Sequence, residues 1–221
     1  MTDVHCHVPS GGSGIRELLV GRDFVGIHPW NTVGVESRAL DSRISNLKSQ
    51  ISESPCLGIG EIGLDRLHER EIPQSMREAF EAQLALAAEF HRPVVLHGAT
   101  CWGQVVAALR KAIGTGEAPA IPAALFHGFS RSDGLIPDIV KLNGYISVGP
   151  SVMNDHAVNY RELVKKIPLD RLLVETDRTE ESAAECPSAR DILAKLVDLR
   201  GLSAAEMETL TDANAERFFP G

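Results

Sequence analysis

Several features that would assign a protein class are scarce in this 221-residue sequence. Its four cysteines (Cys6, Cys56, Cys101 and Cys186) are scattered with no C-x-x-C spacing, which speaks for reduced thiols and against a disulfide framework. Cys6 lies between two histidines, but one residue off in a strand it faces the other way, so it reads as a small core residue. No window approaches the ~20 apolar residues of a membrane span, and no membrane partner is expected. No basic region leads into an apolar stretch at the start, since acidic Asp3 comes at once, and the chain reads as mature and cytoplasmic. Nor is there a block of lysine or arginine in a chain of net charge −8. Proteins that hold nucleic acid by neutralising phosphates show a basic footprint, so tight duplex binding is not expected. A phosphate-bearing substrate would have to be held by metal ions and a few arginines.

What is present is an ordinary globular composition, 43% apolar and 24% charged, in a chain long enough for one large core. Residues 1–221 therefore read as a single domain. Short apolar runs, Thr2–Val8, Asp23–His28, Cys56–Ile62, Pro93–His97, Ala123–His127, Gly144–Val148 and Arg171–Glu175, alternate with helical spacings. Examples of the latter are Ile44, Leu47 and Ile51, then Met76, Phe80, Leu84 and Ala87, then Val105, Leu109 and Ile113. Ser203 with Glu206 has the capping-box form and opens a last helix. Alternating strands and helices imply βαβ units and a parallel sheet.

The polar residues choose between an open sheet and a closed barrel. His5 and His7, His28, Glu61, His97, His127 and Asp177 all fall at or just past the C-terminal end of an apolar run. In a (β/α) barrel those ends converge on one face; in an open sheet they would lie along a line. The expected fold is thus α/β, a TIM-like barrel. Only fifteen residues separate His7 from Asp23, with room for one short helix, Ile15–Val20. About seven parallel strands in a shortened or distorted barrel are expected.

Asp3-Val4-His5-Cys6-His7 is the strongest local signal, because positions i and i+2 of a strand share a face and two imidazoles there can chelate one ion. Asp3 could orient one ring from behind. Taken alone, H-x-H fits equally two core histidines satisfied by backbone groups. Glu61 stands among Gly58, Gly60 and Gly63, which let another group or an ion approach the backbone closely. A buried carboxylate there asks for a cation, or for an arginine such as Arg66. His97 and His127 each end an apolar run, and Glu175 and Asp177 share a face at the end of another, so that either acid alone could serve. Six imidazole and carboxylate groups gathered on one barrel face make a metal the economical explanation.

These motifs, D-V-H-C-H, G-I-H-P, G-E-I-G-L-D, P-V-V-L-H, F-H-G-F-S, G-Y-I-S-V-G and L-L-V-E-T-D, occur in the order of the TatD-like metal-dependent hydrolases, and the chain resembles that family over nearly its whole length. Residues 210–219 are similar to its closing helix. The resemblance implies a TIM-like barrel with one or two divalent ions (zinc, manganese or magnesium) and phosphodiesterase or deoxyribonuclease-like activity. It implies that His5 and His7 bind one ion, that Glu61 bridges to a second held by His97 and His127, and that Asp177 acts on metal-activated water, with His28 lining the pocket. It also implies that the second βα unit usual in the family is missing, a shortening shared by a compact subgroup. Gly98 and Ala99, Arg131, and Arg178 with Thr179 depart from the residues usual beside these motifs.

The expected chemistry is metal-assisted hydrolysis of a small phosphoester or a nucleic-acid end, with Asp177 and Glu61 as catalytic residues. His28, Arg66 and Arg131 are expected on the substrate, with Arg178 a further phosphate contact suited by its forked guanidinium. Two alternatives stand beside it. One is a barrel amidohydrolase cutting C–N or C–O bonds, although all six lysines fall in helical stretches where none could bridge two metals. The other is a degenerate barrel that binds a ligand without catalysis. The oligomeric state is not legible.

Overall fold

The computed structural model describes residues 1–53, 56–114 and 120–219. Strands and helices alternate: β1 (Thr2–Cys6), β2 (Arg16–Leu19), β3 (Phe24–Val25), α1 (Ser37–Glu53), β4 (Gly58–Asp65), α2 (Gln74–Glu89), β5 (Val94–Ala99), α3 (Trp102–Ile113) and β6 (Ala124–Phe126). There follow α4 (Ile136–Lys141), β7 (Gly144–Val148), α5 (Val158–Lys166), β8 (Leu172–Val174), α6 (Ala189–Arg200) and α7 (Ala204–Phe218). β3 to β8 pair in chain order, every neighbour parallel, and β1 pairs with β2 in the same sense.

Two seams join these sets into a ring. At one, Val20 bridges Phe24. At the other, the Asp177 amide donates to the His5 carbonyl at 3.0 Å, and the His7 amide donates to the Arg178 carbonyl at 2.8 Å. Asp3 fastens the second seam, accepting from the Thr176 amide at 3.0 Å and the Thr176 hydroxyl at 2.7 Å.

The expected barrel is present, with eight strands among the described residues rather than about seven. Arg16–Leu19, read from sequence within a short helix, is a strand paired with β1 from Thr2↔Arg16 to Cys6↔Leu19. Buried β1 needs a backbone partner on that side, and one helical turn could not supply it. The next connection is a tight turn in which Gly21 takes φ +83° and the Asp23 carboxylate accepts from the Leu19 amide. The barrel is therefore shortened by two missing helices, and its ring of strands is complete.

Side chains alternate across the ring. Val94 and Leu96, Ala124 and Phe126, Ile146 and Val148, Leu172 and Val174 pack outward with helix residues such as Phe80, Leu84, Val105, Leu109 and Ile192. Phe24, Val95, Leu125, Tyr145 and Leu173 form a second cluster with Phe218 and Phe219, which close the bottom of the barrel from the end of α7. Each such buried side chain contributes roughly 1.5–3 kcal/mol by leaving water. Because the strand period is two, the residue two beyond an inward apolar one also faces inward: His97 after Val95, His127 after Leu125, Ser147 after Tyr145 and Glu175 after Leu173. The apolar floor thus sets the register of the polar layer above it.

Candidate metal centre

The polar layer lines a cavity of about 450 Å³, reached by His7, His28, Glu61, His97, His127 and Asp177. Glu61 is its centre. Strand β4 approaches β5 so closely that a Cβ on Gly60 would come within 2.6 Å of the Val95 Cβ, and one on Gly63 would collide with the His97 carbonyl. The glycines noted in the sequence serve this approach, which brings Glu61 and His97 to 2.8 Å (Oε1 to Nδ1). Glu61 Oε1 also lies 3.4 Å from His127 Nε2 and 3.7 Å from His28 Nε2. Its other oxygen lies 3.6 Å from His5 Nε2 and 4.0 Å from His7 Nε2. Asp177 Oδ1 sits on the same side, 3.5 Å from His5 Nε2 and 3.4 Å from His7 Nε2.

Among the described residues three sets of donor atoms are close enough to hold an ion: His5, His7 and Asp177; His5, Glu61 and His127; His28, Glu61 and His97. The residues fit a cation on an independent observation. His5 is fully buried, yet among the described residues neither of its ring nitrogens has a hydrogen-bond partner. An unmet buried polar group costs about 1–3 kcal/mol, and this one points between two carboxylates. Stacking holds it there, with the His5 ring 5.5 Å from Phe24 beneath and 3.9 Å from His127.

The tautomers are set from behind. His127 Nδ1 meets Glu175 Oε2 at 3.0 Å, so in the neutral ring that a metal requires the proton is held outward and the Nε2 lone pair turns toward Glu61. Glu175 is itself fixed by the Ser147 hydroxyl at 2.5 Å and the Gly128 amide at 2.8 Å. His97 Nε2 meets Asp65 Oδ2 at 2.9 Å, leaving Nδ1 for the Glu61 side. His28 differs: its Nδ1 accepts from the Trp30 amide at 3.2 Å, so the ring proton of a neutral His28 sits on Nε2, facing the cavity. This makes His28 a hydrogen-bond donor to whatever occupies the cavity. Gln83 fixes its approach, pairing with both the amide (2.6 Å) and the carbonyl (3.2 Å) of Ile27.

The charges follow from this packing. Burial works against an ionised Glu61, but the nearby charge of His127 and the contacts of His28 and His97 outweigh it and hold the carboxyl well below the usual range. Partial burial likewise opposes the charge on Asp177, and His5 and His7 pull it below the ordinary carboxylate value. Burial would lower His127, whereas Glu175 and then Glu61 raise it to about 10. His97 is raised against its burial by Glu61 and, further down, Asp65. His7 is raised chiefly by Asp177. His7, His97 and His127 are thus biased toward holding protons where a metal would place its charge.

Two expected substrate contacts lie elsewhere. Arg66 does not line the cavity; it borders a separate depression with Arg70 and Arg77, because Asp65 ends β4 and the chain turns outward after it. Arg131 is exposed at φ +57° and likewise lies outside the cavity lining. Sequence reasoning also missed residues. Spacing alone gives Asp65, Ser147, Gln83 and Trp30 no role and offers Glu175 only as a substitute for Asp177, whereas both acids are engaged at different depths. The inward parity of Ser147 and Glu175, two beyond Tyr145 and Leu173, was the available signal.

A closed parallel barrel that turns histidines and carboxylates into one cavity at its C-terminal strand ends defines a metal-dependent hydrolase. The particular kind follows from comparison: the chain belongs to the TatD-related DNase family, whose model matches residues 21–220. It is 27% identical over 219 residues to the uncharacterised metal-dependent hydrolase YabD of Bacillus subtilis, covering 92% of this chain and 80% of that one. It is 30% identical over 206 residues to the 3'-5' ssDNA/RNA exonuclease TatD of Klebsiella pneumoniae, covering 86% and 76%. In structure it is similar to YjjV, a TatD homologue from Escherichia coli, with TM-score 0.74 and 22% identity over 100% of this chain and 98% of that one.

Proposed function

We propose that the protein hydrolyses phosphoester bonds, most naturally at a nucleic-acid end or in a small phosphodiester, using divalent metal held by His5, His7, Glu61, His97, His127 and Asp177. The observation that carries this reading is Glu61: one buried carboxylate faced by five imidazoles, with one oxygen toward His5 and His7 and the other toward His28, His97 and His127. That division suits a bridging group between two positions. Zinc, manganese and magnesium are the metals proposed.

When bound, divalent ions would neutralise charge on phosphoryl oxygens and lower the pKa of water toward neutrality. The chain's own groups do the rest. Asp177, a carboxylate 45% exposed at the cavity mouth, is placed to accept a proton from the attacking water. His28 donates its Nε2 proton to a substrate oxygen. Asp65 and Glu175 keep His97 and His127 in the required tautomers. All six lysines lie on helices, away from the strand ends, which speaks against a lysine-bridged amidohydrolase centre.

Turnover of a single-stranded oligonucleotide and of a generic phosphodiester, set against lactones and dipeptides, tests the assignment. The phosphoesters alone should turn over, and His97→Ala and Asp177→Ala should abolish that activity. Preferential turnover of lactones or dipeptides, or phosphodiester hydrolysis unaffected by both substitutions, would refute it.

A further inference from the structure

Trp30 is 52% exposed at the rim of the cavity, yet it is held by specific contacts. Its indole Nε1 donates to Asp65 Oδ2 at 2.7 Å, the same oxygen that receives His97 Nε2. The other Asp65 oxygen accepts the amides of Leu67 at 2.7 Å and His68 at 2.8 Å. One buried carboxylate therefore fixes a ring that faces the cation position, an exposed indole and the loop beside it. The His68 ring stacks on Trp30 at 5.0 Å with 24° between planes, and His28 meets it edge-on at 4.9 Å.

Exposing an indole forgoes the stabilisation of burying it, and fixing it costs side-chain entropy. Such a ring is suited to a ligand with a flat face. Stacking on an aromatic side chain is how proteins hold bases of single-stranded nucleic acid, and it tolerates any base because each presents a π-face. The net charge of −8 makes recognition through a face more useful than recognition through backbone phosphates alone.

We propose that Trp30, backed by His68, is the platform on which the base adjoining the scissile phosphoester stacks, and that it sets a preference for nucleotides over phosphoesters without a base. The proposal rests on the phosphoester reading above. Asp65 couples platform and centre mechanically, so the base is positioned against the same group that orients His97.

The test compares a single-stranded oligonucleotide with one carrying an abasic unit at the terminal nucleotide, using the metal-loaded protein. The wild type should favour the base-bearing substrate by about tenfold in kcat/KM, chiefly through KM. Trp30→Leu should bring that ratio near one. Trp30→Phe, which keeps the aromatic face and loses the bond to Asp65, should retain most of it, whereas a purely structural role for the bond would make the two variants alike. An unchanged ratio in Trp30→Leu, or no preference in the wild type, would overturn the proposal. Fluorescence separates this outcome from failure of the phosphoester reading. The only other tryptophan, Trp102, is buried at 3% exposure. A dithymidine phosphorothioate should therefore quench the wild type saturably and leave Trp30→Leu unquenched, even if no ester were cleaved. Absence of quenching in the wild type would sink the platform by itself.

Discussion

Glu175→Gln is the perturbation whose outcome the geometry dictates most closely. Glu175 Oε1 accepts from the Gly128 amide at 2.8 Å, and Oε2 accepts from His127 Nδ1 at 3.0 Å and the Ser147 hydroxyl. A glutamine has one acceptor and one donor end. The Gly128 amide cannot change role, so the glutamine oxygen must face it, and the NH2 group then faces His127 and Ser147. The serine hydroxyl can rotate to accept. His127 can only respond by moving its proton from Nδ1 to Nε2, the nitrogen 3.4 Å from Glu61 and needed for a cation. Turning the amide round would oppose two N–H groups at Gly128, costing about 1–3 kcal/mol. Either way the metal-ready tautomer of His127 is penalised, and the expected loss of metal affinity is about ten- to hundredfold, roughly 1.4–2.7 kcal/mol. Competition of the purified variant with a chelator of known affinity measures this, with circular dichroism as the check on folding. A folded variant that binds metal as tightly as wild type would refute the reasoning about tautomers.

Three further outcomes follow from the same structure. Asp177→Asn should keep the fold, because asparagine tolerates the φ of +49° found there, while kcat for phosphodiester cleavage falls about 10²- to 10⁴-fold; thermal melts and steady-state kinetics check the two halves. Asp3→Ala should destabilise the protein by about 3 kcal/mol in urea unfolding, since it removes the acceptor of the Thr176 and His5 amides and the Thr176 hydroxyl at the seam between β8 and β1. Metal binding near pH 7 should release protons and tighten as pH rises. His127, raised to about 10, is protonated at pH 7 and must give up a proton to offer a lone pair, and the upward shifts of His7 and His97 act in the same direction. Calorimetry in two buffers of different ionisation enthalpy reads the released protons, and equal heats would contradict the prediction.

Much of this arrangement was legible in the sequence because two periodicities coincide. An apolar run that closes on an imidazole or carboxylate declares both its face and its direction, so the sequence alone gathers His5, His7, Glu61, His97, His127 and Asp177, although Glu61 and His97 lie inside β4 and β5 rather than at their ends. Segments whose roles depend on partners far along the chain were not legible. Arg16–Leu19 has too little alternation to announce a strand, and becomes one only because β1 lies beside it. Arg66 follows the right motif but points away, since the direction of a side chain after a strand end depends on the loop. Asp65 and Glu175 act through histidines 32 and 48 residues distant, a pairing that spacing cannot express. Nothing in the sequence around His28-Pro29 marks Trp30, whose meaning lies in its exposure and its bond to Asp65.

The most direct test of the central claim, that this cavity is a metal centre for phosphoester hydrolysis, is elemental analysis of the purified protein joined to a phosphodiester assay across chelation and reloading. One or two divalent ions per chain, activity lost with the ions and regained with them, and neither ions nor activity retained in Glu61→Ala are the predicted results. Protein that carries its ions yet leaves every phosphodiester intact, or that cleaves them equally well after chelation, would contradict the account.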